Sequence, residues 1–80
     1  MTSAAAITAL TAAITKASRL LPTSHTAAGD PLHRCRRVIN GHLVQIEVIG
    51  WAGERIDITL PYEFGTKPLS IHDVAELIAD

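Results

Sequence analysis

Between residues 32 and 60 apolar and polar side chains alternate in three short runs, separated by glycine-bearing turns. Alternation with a period of two marks a strand with one buried face. Asn40-Gly41 supplies the two positive φ values of a type I′ turn, so a strand is predicted directly on each side of it. A loop of those two residues sets Ile39 opposite His42, Arg37 opposite Val44, Cys35 opposite Ile46 and Arg34 opposite Glu47. One face then carries His33, Cys35, Arg37 and Ile39 with Val44, Ile46 and Val48. The other carries Arg34, Arg36, Gln45 and Glu47, with Leu32, Val38, Leu43 and Ile49 towards its ends. The first face reads as core except at Arg37 and His33, and the second as solvated in its middle.

Residues 54–60 fit a third strand, with Ile56, Ile58 and Leu60 on one face and Arg55, Asp57 and Thr59 on the other. Gly50-Trp51-Ala52-Gly53 supplies the turn, and Pro61, which lacks an N–H, ends the strand. Pairing Ile46 with Ile56 and Val44 with Ile58 joins the apolar faces. That register places Glu47 between Arg34 and Arg55, and Gln45 between Arg36 and Asp57. Each exposed cross-strand ion pair contributes only about 0.2–1 kcal/mol, so its value lies in fixing register.

The periodicity changes at both ends of the chain. Residues 1–21 predict a helix capped by Thr2 or Ser3, with an apolar stripe of Ile7, Leu10, Ile14, Ala17 and Leu21. Thr8, Thr11, Thr15 and Ser18 form a separate hydroxyl stripe, and Lys16 and Arg19 sit where the helix dipole favours cations. Pro22 marks the stop, and residues 23–30 read as a loop. Residues 70–80 predict a second helix: Ser70-Ile71-His72-Asp73 has the form of a capping box, and Leu69 and Val74 stand where a hydrophobic staple would. Its stripe is Ile71, Val74, Leu77 and Ile78, and residues 62–68 read as the connecting loop. The expected architecture is a single α+β domain over residues 1–80. Its order is α-β-β-β-α, a three-stranded antiparallel meander with two helices packed on one face.

Composition narrows the function classes. A chain this short buries roughly 60–65% of its unfolded surface, so its stability is marginal. Hydrophobic content of 48% against 19% charge leaves apolar side chains such as Leu32, Val38, Leu43, Ile49 and Trp51 in want of cover. A partner surface or a homodimer interface is the expected destination. One cysteine forms no internal disulfide, which points to a reducing cytoplasm. No apolar run approaches the roughly 20 residues of a membrane span. The stretch before Asp30 is acid-free and rich in Ala, Ser and Thr, as organelle transit peptides are, but its apolar stripe matches the sheet's need for cover. A net charge of −1 gives no general attraction to nucleic acid or acidic lipid.

No catalytic, cofactor or metal motif emerges. In the basic stretch His33-Arg34-Cys35-Arg36-Arg37, Arg34 and Arg36 are expected to be neutralised across the sheet by Glu47 and Asp57, while Arg37 falls on the apolar face, either to snorkel past the helix end or to contact a partner. Cys35 and His33 share a face, but Cys35 is expected to point into the core as a small hydrophobe and not to act as a nucleophile. His25, His33, His42 and His72 lie on different elements without metal-ligand spacing. Asp73 and Glu76 share one side of the second helix, where early acids complement the dipole. Trp51 at a turn tip has the character of an interface anchor, whereas Phe64, with Tyr62, is read as folding back to seal the open end of the sheet.

The α-β-β-β-α order is similar to that of the double-stranded RNA-binding domain, and Asn40-Gly41-His42 faintly resembles that family's histidine-bearing loop. The resemblance implies RNA binding through lysines at the start of the second helix. Here that position reads Ser70-Ile71-His72-Asp73, so the likeness is one of topology. Small size, an α/β sandwich and a lack of catalytic chemistry are also similar to phage-encoded inhibitors such as anti-CRISPR proteins, an analogy of class without a motif. The expectation is a non-enzymatic inhibitor or adaptor that docks on a larger protein through Arg34, Arg36, Glu47, Trp51, Arg55 and Asp57. The alternatives are a nucleic-acid binder using Lys16, Arg19, Arg34, Arg36 and Arg37, and a small subunit of an oligomeric enzyme.

Overall fold

The computed structural model describes residues 1–20, 22 and 24–79. The expected ends of the two helices at Leu21 and Asp80, and the expected start of a loop at Thr23, fall outside these. The elements are α1 (Ser3–Ser18), β1 (Ser24–His25), β2 (Pro31–Ile39), β3 (His42–Ile49), β4 (Arg55–Leu60), β5 (Gly65–Leu69) and α2 (Ile71–Ile78). The sheet is antiparallel with five strands in chain order, not three. The two additions lie where loops were predicted. β1 is only two residues long, and β5 reads Gly-Thr-Lys-Pro-Leu, so neither carries an apolar alternation. Pro68 is tolerated because β5 is an edge strand.

The β2–β3 hairpin has the register that Asn40-Gly41 predicts, from Ile39 opposite His42 to Leu32 opposite Ile49. Asn40 and Gly41 both take positive φ, at 50° and 80°. The β3–β4 register differs from expectation by two residues: Ile46 faces Ile58 and Val48 faces Ile56. The cause lies in the turn. Gly53 N–H closes onto Gly50 O at 3.2 Å, and the Glu54 carboxylate accepts from Ala52 N–H at 3.2 Å. Glu54 thus belongs to the turn instead of opening the strand. A shift of two keeps every side chain on its predicted face but changes every neighbour. Glu47 therefore sits opposite Asp57, Gln45 opposite Thr59 and Arg55 opposite Ile49.

Thr2 caps α1, its Oγ1 accepting from Ala5 N–H, and Ser70 caps α2 by accepting from Asp73 N–H. Thr8, Thr15 and Ser18 of the hydroxyl stripe donate back to the carbonyls of Ala4, Thr11 and Ile14 within the helix. Both helices share one core with the sheet: Leu10 and Ala17 of α1, Val74 and Ile78 of α2, and Cys35, Val44, Ile46, Ile58 and Leu60 beneath them. The buried stripe of α1 is Ala6, Leu10, Ala13 and Ala17, while the predicted members Ile7 and Ile14 are half-buried at its margin. α1 packs on α2 as well as on the sheet, and alanine lets the backbones approach closely. In α2, Ala75 replaces Leu77 in the buried stripe, and Leu77 is 40% exposed.

Candidate functional site

The outer face of the sheet lies opposite the core and carries a chain of polar contacts across its middle. Arg36 Nε donates to Gln45 Oε1 at 3.0 Å, and Gln45 Nε2 donates to Glu47 Oε1 at 3.0 Å. Glu47 Oε2 lies 3.6 Å from Arg34 Nη2, so one carboxylate receives both an amide and a guanidinium. This is the Arg34–Glu47 and Arg36–Gln45 pairing that the hairpin register predicts. The β4 half departs from it. Arg55 pairs with Asp57 two residues along its own strand, with contacts of 3.0 and 3.2 Å, and does not reach Glu47. Glu47 and Asp57 face each other as like charges, each turned to an arginine of its own. Such an arrangement contributes little stability, because like charges directly opposite cost about what exposed pairs contribute.

Large apolar groups stand at the two ends of this face. At the β3–β4 end Trp51 is 82% exposed on its turn, beside an open cleft of about 540 Å³ lined by Thr26, Ala28, Asp30, Ile49 and Arg55. At the hairpin end Val38 is 70% exposed opposite half-buried Leu43. Tyr62 and Phe64 do not seal the open end as expected: they are 83% and 51% exposed on the turn between β4 and β5. That turn is tight, with Phe64 N–H bonded to Leu60 O at 2.8 Å, and it projects both rings outward. Leu32, expected to need cover from a partner or a second copy, is buried within the chain, opposite Ser24 of β1.

The remaining candidates do not converge. Cys35 is a buried free thiol opposite Ile46, in the position predicted for it. His33 has a buried Nδ1 without a partner among the described residues, near a cleft shared with Ser18 and Trp51. No group of three His, Cys, Asp or Glu side chains able to hold a metal ion occurs among the described residues. No helix among them is long and apolar enough to cross a membrane. Two tethers were not visible in the sequence: His42 Nδ1 lies 2.6 Å from Glu63 Oε1, and Asn40 Nδ2 donates to Ile78 O at 2.6 Å. Both depend on segments far apart in the chain, and no local pattern announces them. No protein-family model, curated protein or solved structure matches the chain.

Proposed function

We propose that this chain is a non-enzymatic protein-interaction module, an inhibitor or adaptor of a reducing cytoplasm, that docks on a larger protein through the outer face of its sheet. The observation that carries the reading is Trp51, 82% exposed at the edge of a face whose charges are already paired with one another. A large aromatic beside satisfied polar groups is the usual composition of an interface anchor with a polar surround. Arg34, Arg36, Glu47, Arg55 and Asp57 form that surround. The experiment is capture from a native extract with the wild-type chain and with Trp51→Ala. The variant retains its melting temperature and loses the captured partner. Equal capture by both chains sinks the assignment of this face.

A nucleic-acid reading draws less support. Arg34 and Arg36 are engaged by Glu47 and Gln45, and α2 opens with Asp73 instead of lysine. A mobility shift at low salt that weakens steeply with added salt would favour it over docking on protein.

A further inference from the structure

β2 lies between a full partner and an almost absent one. β3 pairs with it along its whole length, whereas β1 pairs only with Pro31 and Leu32 among the described residues. In an antiparallel ladder alternate residues exchange both backbone bonds with the same neighbour. Pro31 O accepts from Gly50 N–H at 2.9 Å, so Pro31, His33, Cys35, Arg37 and Ile39 face β3. The N–H and C=O groups of Arg34, Arg36 and Val38 therefore point away from the sheet, beyond the reach of β1. Part of this edge is screened by a side chain: Arg37 Nη1 rests 3.4 Å from Arg36 O. Beside it runs a shallow cleft of about 250 Å³, floored by Ala9, Ala12 and Ala13 of α1 and flanked by Lys16, Arg37 and Val38. The alanines leave room there for the side chains of an added strand.

Charge selects the occupant. Five of the seven Lys and Arg residues fall within residues 16–37, and seven of the eight acids lie beyond residue 46. Arg34, Arg36 and Arg37 lie on β2 and Lys16 lines the adjoining cleft, whereas Asp57 lies on β4 and Asp73 and Glu76 on α2. A second copy fits this edge poorly. Two-fold pairing of β2 with itself sets Arg36 against Arg36, Arg34 against Arg36, or Arg37 against Arg37, according to register. Like charges directly opposite are unfavourable, and edge cations are a common guard against such pairing. Head-to-tail pairing with β5 meets Lys67, of the same sign, and Pro68, which lacks a donor.

We propose that the β2 edge accepts an extended acidic segment of another protein as an added strand. Its backbone bonds to Arg34, Arg36 and Val38, its acidic side chains stand opposite Arg34 and Arg36, and its small apolar side chains enter the alanine cleft. This surface shares Arg34 and Arg36 with the outer face but does not rest on Trp51.

The probe is an acetylated, amidated heptapeptide alternating valine with glutamate, titrated into isotopically labelled protein and followed by backbone amide resonances. Its glutamine and lysine counterparts serve as controls. The amides of Arg34, Arg36 and Val38 shift and gain exchange protection, and glutamate is preferred over glutamine by between about two- and thirtyfold for two cross-strand charge pairs. Val38→Pro removes an outward N–H while leaving the β3 ladder intact, and it abolishes the response in a protein whose other resonances remain dispersed. A chain carrying Arg34→Glu and Arg36→Glu keeps the edge but prefers the lysine peptide. Equal affinity for glutamate and glutamine peptides overturns the proposal, as do shifts confined to residues around Trp51. A dimer joined through β2 in sedimentation without peptide, or stronger shifts of the same amides by a single-stranded oligonucleotide, overturns it as well.

Discussion

Asn40 joins the tip of the hairpin to the last turn of α2, its side-chain amide donating to Ile78 O at 2.6 Å. The same residue holds a φ of 50° for the turn. Local turn geometry and the seating of a helix far along the chain thus meet at one side chain. Asn40→Gly keeps the backbone conformation and loses this bond, a cost of about 0.5–1.5 kcal/mol. Asn40→Asp also sets a carboxylate against the negative end of the helix and costs roughly 1–3 kcal/mol when ionised. Its protonated form still donates, so the folded state raises the new carboxyl's pKa above its unfolded value. Stability is then retained at acid pH and lost as pH rises through the carboxylate range. Chemical denaturation of both variants across that range checks the sign.

Leu10 is fully buried where α1 meets the rest of the core. Leu10→Ala is expected to cost about 2–5 kcal/mol, a large share of what a domain of this size commands. A denaturant midpoint close to that of wild type would show that the helix is not seated as described.

Thr59 is 6% exposed on the outer parity of β4, and its Oγ1 has no partner among the described residues. A buried hydroxyl left unsatisfied costs about 1–3 kcal/mol, and valine has nearly the same shape. Thr59→Val should raise the melting temperature. A fall would reveal a hydrogen bond to solvent or to another chain.

Gly50 adopts a φ of 103°, and a Cβ there would run into the Glu54 carboxylate. The side chain can swing aside, but the backbone angle cannot be relieved so easily. Gly50→Ala is expected to lose about 1–3 kcal/mol. Pairing it with Glu54→Ala separates the two effects, since only the collision is relieved by the second change.

The legible and illegible parts of the fold divide by how local their causes are. Asn40-Gly41 dictates its own turn, and from it follow the whole β2–β3 register, the placement of Cys35 opposite Ile46 and the Arg34–Glu47 contact. The β3–β4 turn contains two glycines at positive φ and an acid that folds into it, so more than one closure suits the same letters. The apolar alternation could not choose between closures two residues apart, because both bury the same face. Alternation alone therefore pairs Arg55 with Glu47, whereas the turn's closure leaves it on Asp57. β1 and β5 were missed for a different reason: they exist because a neighbour offers backbone groups, not because their own side chains favour a strand. Phe64 was misplaced because apolarity says what a residue would gain from burial, not whether a tight turn permits it.

The single thiol under the sheet also offers a clock. Cys35 lies among the interlocked side chains of both layers, so a thiol reagent reaches it only when β2 lifts from α1 or the whole molecule opens. Its rate of labelling, followed without any substitution, counts those openings directly, and a ligand that clamps the strand would slow the count.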